Sequence, residues 1–239
     1  MNITNSEINI ISSKDLDIRL KAFEFEKHLK KFFTLPQIIP MPDDFHPEAP
    51  RIIFSTPHGH STLTISQVNF SLKTRYDGDF TENLNKCIEY LDERINLVFS
   101  MLKESRITLY YIGVIFNFEI PFTQKNNPVV ALSQKFLNYK LNFINSLFDV
   151  SFKFTTCYDN TFYKNLIFKN YRRYQKKSIP KPSPAFLDLE EEGIQVQADI
   201  NDRFAFNINK DYETNEEVLS KIYDILKNAY EEIPKMMEN

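Results

Sequence analysis

The chain has 239 residues, 42% of them hydrophobic and 26% charged, with a formal net charge of -3 at pH 7. That length suits one large domain or two small ones, and the apolar content is enough for a real core. The acidic total excludes the global basic field that draws a protein onto nucleic acid, and no apolar run reaches the ~20 residues of a membrane helix.

The opening stretch MNITNSEINIISS lacks the basic and apolar regions of a signal peptide, so a soluble, cytoplasmic chain is expected, without membrane contact. Cys87 and Cys157 lie far apart with no paired spacing, which predicts buried free thiols in a reducing compartment. Residues 15–33 read as a helix. Ile18, Ala22, Phe25, Leu29 and Phe32 follow helical spacing, and Leu16, Leu20 and Phe23 widen the stripe. A proline-rich strap, 36–50, follows; its prolines forbid helix and interior strand, and it is expected to cross the surface of its own domain.

Residues 51–55 make a short strand, and the turn at Gly59 leads into a long strand, 61–76. Leu63 and Ile65 have one parity and Val68, Phe70 and Leu72 the other, which predicts a β-bulge near Ser66 and Gln67. Asp79, with Glu82 three residues on, is the expected N-cap of a helix running to Lys103, with Phe80, Leu84, Cys87, Ile88, Leu91, Ile95, Phe99 and Leu102 on its buried stripe. The run 107–121, ITLYYIGVIFNFEIP, is β-branched and aromatic and ends in proline, so it is taken as the central strand. Asn127-Pro128 opens another helix, with Leu132, Phe136, Tyr139, Phe143 and Leu147 in one row. Strand 150–157 and a returning arm, 161–177, form a second hairpin, and a second proline-rich strap with an acidic end spans 178–192. Residues 193–209 alternate as a strand with a dry and a wet face; Asp202 breaks the pattern, which fits a short hairpin loop at 201–203. Thr214 and Glu217 form the capping box of a last helix, which Pro234 is expected to stop.

This order predicts an α+β fold, with long helices packed on a curved, mostly antiparallel sheet. A single domain, 1–239, is expected, with a sub-division into 1–127 and 128–239 as the alternative; the two halves look loosely alike, each with a hairpin, a further strand and a long helix in different order.

Three segments carry a resemblance: Tyr76 with Asp77-Gly78-Asp79-Phe80 and the helix after them, Tyr111-Ile112-Gly113-Val114-Ile115-Phe116-Asn117, and Ala198-Asp199-Ile200-Asn201 before the last helix. On these the chain resembles a sporadically distributed, functionally uncharacterised bacterial protein family of about this size. Where that family tends to have an arginine-led segment, this chain runs from Tyr111 to Asn117 without one. The resemblance implies no catalytic residues, and its patchy distribution implies cargo of mobile elements or phage defence.

Candidate chemistry is sparse. His60-Ser61-Thr62-Leu63 has the form of one half of a two-histidine phosphoesterase, but a second motif is absent and only His28, His46 and His58 remain. His58, His60 and His46 fall short of a metal-binding spacing. The acidic run Asp188, Glu190, Glu191 and Glu192 reads as a solvated loop, and the four glycines form no phosphate loop. Glu119 and Asp199 are carboxylates whose pairing the order of residues does not reveal. No catalytic residue, metal or cofactor is therefore expected.

The strongest local signal is the arm 163–177, YKNLIFKNYRRYQKK, basic and aromatic without an acid. Its candidate nucleic-acid-binding residues are Lys169, Tyr171, Arg172, Arg173, Tyr174, Lys176 and Lys177, where cations neutralise phosphates and rings stack on bases. The competing explanation is a sheet edge protected by charge. The function expected is a non-enzymatic interaction protein that binds a protein partner or its own copy through its sheet edge, straps or last helix. A nucleic-acid-binding module using the basic arm is the alternative.

Overall fold

Residues Asn2–Ser12 form a strand, β1, where no element was expected. In this computed structural model, which describes residues 1–122, 127–137, 147–176 and 187–237, β1 sits at the middle of the sheet. Ser6, Ile8, Ile10 and Ser12 turn inward, and a register shift between Ile3 and Asn5 brings Ile3 onto the same side. That slip hides the alternation.

The first half continues with α1 (Ala22–Leu29), β2 (Gln37–Ile38), β3 (Ile52–Ser55), β4 (Ser61–Ile65), β5 (Asn69–Arg75) and α2 (Leu84–Glu104). The second half follows the same plan: β6 (Leu109–Pro121), α3 (Pro128–Leu137), β7 (Ser151–Tyr158), β8 (Phe162–Lys176) and β9 (Leu187–Asn201). An additional short helix, α4 (Arg203–Ile208), precedes the closing α5 (Glu216–Met237). The fold is mixed α+β around one nine-stranded sheet of order β2-β3-β4-β5-β1-β6-β9-β8-β7. Every described pairing is antiparallel, and the sheet is not strongly curled. Outward from the centre, β1-β5-β4-β3 on one side matches β6-β9-β8-β7 on the other. The halves thus share one topology and meet between Glu104 and Leu109.

One apolar row crosses both halves: Phe54, Leu63, Leu72, Ile8, Val114 and Ile200 stand opposite one another, each 0% exposed. α1, α2, α3 and α5 bury their apolar stripes in the same core. The opposite face of the sheet is half-exposed and polar. It carries Asn5, Glu7 and Asn9 of β1, Asn117 of β6, and Gln195, Gln197, Asp199 and Asn201 of β9. An antiparallel sheet with one packed and one wetted face needs this alternation.

Several expectations are corrected. The helix at 15–33 is shorter: a 3-10 turn at Ile18–Lys21 precedes α1, and Leu16, Leu20 and Phe23 are exposed instead of widening the buried stripe. The bulge at Ser66 is a turn: Ser66 Oγ accepts from the N–H groups of Val68 and Asn69, which splits 61–76 into the hairpin β4–β5. Asn83, not Asp79, caps α2, accepting from the Lys86 N–H at 3.1 Å. Residues 187–192 belong to β9 instead of a strap, and 203–208 form α4 instead of a hairpin arm. Pro234 lies inside α5 without ending it. Tyr139 and Phe143 of the row expected in the helix after Asn127-Pro128, and residues 178–186 of the second strap, lie outside the described residues. Cys87 is buried, but Cys157 is exposed.

The first strap does cross its own domain. Gln37 and Ile38 pair with Ile53 and Ile52, which closes the β3 edge. Gln67 donates to the Asp43 carbonyl at 3.0 Å, and Arg19 to the Met41 carbonyl at 2.7 Å.

Candidate functional site

The second half concentrates the unusual side chains of the open face. β8 lies between β7 and β9, so its residues alternate between the helix-covered side and the open side. Lys164 and Arg172 take the covered side. Tyr163, Asn165, Lys169, Tyr171 and Arg173 take the open one.

That alternation separates the two arginines of the basic arm. Arg172 donates to the Phe148 carbonyl at 2.8 Å, pairs with Asp149 at 3.3 Å and Glu192 at 3.6 Å, and lies 4.1 Å from the Phe148 ring centre. Arg173 grips both oxygens of Glu119, at 2.7 and 2.6 Å, and pairs with Glu191 at 3.1 Å. Tyr171 donates its hydroxyl to Glu191. Lys164 pairs with Glu232 of α5 at 2.8 Å. Lys169 is exposed on the open face and Tyr174 is exposed beyond a register shift at Arg173. Lys176 is placed by its backbone opposite Leu187, and Lys177 lies outside the described residues.

The partners come from the acidic run. Glu192 and Glu191 stand directly opposite Arg172 and Arg173, so the two runs of like charge neutralise each other across one strand pair. Burial opposes the Arg173 charge, but Glu119 and Glu191 outweigh it and hold its pKa above the ordinary value. Glu119 is 8% exposed, so losing its cation strands a nearly buried carboxylate. Arg173→Ala is expected to cost about 1–2 kcal/mol in urea unfolding, the low end because the guanidinium is half in solvent. Arg173→Lys should recover part of the loss, because one ammonium cannot hold Glu119, which Nη2 meets, and Glu191, which Nη1 meets, at the same time.

Glu119 and Asp199 share the open face but do not meet. Glu119 stands opposite Gln195, four residues from Asp199, about 13 Å along the strand. Asp199 sits in its own cleft of about 390 Å³, with Asn165 and Asn201 beside it and Lys153, Tyr163 and Arg203 around it. Asn201 Nδ2 donates to Oδ1 at 2.9 Å and Asn165 Nδ2 to Oδ2 at 3.1 Å. Thr155 Oγ1 donates in turn to Asn165 Oδ1 at 2.8 Å. Burial pushes the Asp199 pKa up, while the two amides and the Lys153 charge pull it part of the way back. The sequence singled out Asp199, as a carboxylate and within Ala198-Asp199-Ile200-Asn201, but not this cleft, because its walls come from three strands and α4.

The histidines stay apart from it. His46, His58 and His60 are exposed, and His60 Nδ1 is 3.8 Å from Asp77. Among the described residues no group of His, Cys, Asp and Glu has a metal-binding arrangement, and no helix is long and apolar enough to cross a membrane.

The sheet edge beside the cleft is the other exposed feature. β7 pairs only with β8 among the described strands, and all its residues except Phe152 are exposed. Phe136 of α3 stacks against Phe152, Phe154 and Phe168 at 5.0–5.3 Å between ring centres, which anchors the covered side of β7. No protein-family model matches this chain, and no curated protein matches it.

Proposed function

We propose that this is a non-enzymatic interaction protein that binds a strand of a protein partner, or of its own copy, along β7. The single observation that carries this is the asymmetry of the sheet edges. β3 is closed by β2 from the strap, whereas among the described residues its topological counterpart, β7, has no strand paired on its outer side. An exposed edge of eight residues, SFKFTTCY, with one charge, is suited to strand addition. The resemblance to a bacterial family adds a setting, cytoplasmic cargo of mobile elements or phage defence.

Lysines at Thr156 and Tyr158 would repel an added strand without touching the core, since both side chains are exposed. The double variant Thr156→Lys, Tyr158→Lys should melt like the parent. It should also lose the parent's concentration-dependent association in sedimentation velocity, or its retention of partner protein. A parent that sediments as one chain throughout, and captures the same proteins as the variant, would sink this reading.

Nucleic acid binding through the basic arm is the second reading. Lys169 and Tyr174 remain available to it, and Tyr163 and Tyr171 lie on the open face. Arg172 and Arg173 would first have to leave two carboxylates each. Salt-sensitive binding of single strands that tracks Lys169→Ala, measured by fluorescence anisotropy, would favour it over edge pairing.

A further inference from the structure

We propose that the Asp199 cleft binds a ribose phosphate, taking the sugar diol on Asp199 and the phosphate between Lys153 and Arg203. The inference is independent of strand addition at β7, because the cleft opens on the sheet face and not on its edge.

The charges in this cleft are kept apart. In the first half of the molecule, Glu7 is already satisfied: Ser71 donates to it at 2.9 Å and Lys73 pairs with it at 3.5 Å. Asp199, on the same row of the sheet in the second half, is hydrogen-bonded only by neutral amides, and the Lys153 charge acts on it from beyond ion-pair distance. Its cations wait at the rim. Lys153 and Arg203 form no ion pair among the described residues; the Arg203 guanidinium lies 5.7 Å from the Tyr111 ring centre. A carboxylate with free acceptor positions beside two unpaired cations is complementary to a ligand that joins hydroxyl donors to an anionic group. A vicinal diol with a phosphate is such a ligand, and a carboxylate taking ribose hydroxyls is a recurrent solution.

The floor is also fixed in advance. Thr155 orients Asn165, and Asn165 and Asn201 orient the carboxylate, so little order is lost on binding. Asn201 Oδ1 is buried and lacks a donor. The Tyr163 ring, held edge-on by Phe204 at 5.4 Å, offers a flat wall for a base. A volume of about 390 Å³ is in the range of small-ligand sites.

The test is isothermal titration of the full chain with adenosine 5′-monophosphate, ribose 5-phosphate, adenosine, inorganic phosphate, 2′-deoxyadenosine 5′-monophosphate and a short single-stranded RNA. Both phosphorylated riboses should bind at least about tenfold more tightly than adenosine, phosphate or the deoxynucleotide. Asp199→Ala and Lys153→Ala should each weaken them by about tenfold, and Asp199→Asn, which keeps the packing, should weaken them likewise with an unchanged melt. Binding of the RNA as well, with the same sensitivity, would extend the assignment to the ribose phosphate at an RNA end. Absence of binding by every phosphorylated ribose, equal binding of the deoxynucleotide, or indifference to Asp199→Asn and Lys153→Ala would overturn the assignment.

Discussion

Replacing Arg51 with alanine is expected to detach the 36–50 strap and to cost about 3–5 kcal/mol of stability. Arg51 is 0% exposed, yet the acceptors that meet its guanidinium are carbonyls and a thioether. One nitrogen donates to the Ala49 carbonyl at 2.9 Å and to the Met41 sulfur, the other to the Phe45 and His46 carbonyls at 3.1 and 3.4 Å. The strap is rich in proline, so it lacks many of the N–H groups that would otherwise satisfy those carbonyls. The two terminal nitrogens of one guanidinium supply them instead, while its buried Nε has no acceptor among the described residues. Alanine removes that guanidinium and leaves a cavity beside unpaired carbonyls. Lysine reaches the same space with three donors and should cost roughly half as much.

The functional consequence concerns the sheet edge. The residues that close β3, Gln37 and Ile38, belong to this strap. Its release therefore exposes a second open edge. Arg51→Ala should be cut by chymotrypsin after Phe45 under conditions that spare the parent, and should associate more strongly as its concentration rises. A variant that unfolds within about 0.5 kcal/mol of the parent, with the strap still protected, would show that the other contacts hold the strap unaided.

The contrast between β6 and β1 shows what the sequence makes legible. In β6, Ile112, Val114, Phe116 and Phe118 share one face and are all 0% exposed, whereas Tyr111, Gly113 and Ile115 on the other face are only half-buried although the run is apolar on both. The stripe of α2 is equally plain, because burial repeats at helical spacing. In β1 the inward set includes Ser6 and Ser12 and slips at Thr4, so neither hydrophobicity nor period marks it. Missing β1 concealed the shared topology, since the first half, the short β2 set aside, is βαβββα only when that strand is counted.

The site was less legible for a related reason. Composition identified the basic arm, but composition carries no parity. Once β8 is a strand, Arg172 and Arg173 face opposite ways, and their partners lie in a stretch that prolines made look like loop. Glu119 is 54 positions from Arg173, a contact that only the strand order β6-β9-β8 creates. Asp202 broke a clean alternation, and that break was real: it ends β9 and starts α4.

Asp202→Ala should cost about 2–4 kcal/mol and should also abolish binding in the neighbouring cleft. Asp202 is 0% exposed; Oδ1 accepts from the Ile112 N–H at 2.7 Å and Oδ2 from the Tyr212 hydroxyl at 2.8 Å. β9 pairs with β6 only as far as Gly113 opposite Asn201, so this carboxylate replaces the carbonyl that a longer β9 would have offered Ile112. Alanine leaves the buried Ile112 N–H without its side-chain acceptor, removes the partner of the half-buried Tyr212 hydroxyl, and frees α4, which carries Arg203. Asparagine keeps an acceptor for Ile112 and should fold. Burial raises the Asp202 pKa from 3.8, and the hydrogen bonds from Ile112 and Tyr212 recover part of that shift. The folded state therefore holds this proton to higher pH than the unfolded chain does. The group's contribution to stability is fullest below 3.8 and is lost as pH rises through the elevated folded value. Measured by urea unfolding, the stability of Asp202→Asn relative to the parent should accordingly increase from pH 4 toward neutrality; a difference that stays flat or falls would mean that the acid is not held above its ordinary range. With α4 intact, Asp202→Asn should retain ribose phosphate binding that Asp202→Ala loses, which separates the positioning of Arg203 from the chemistry of Asp199.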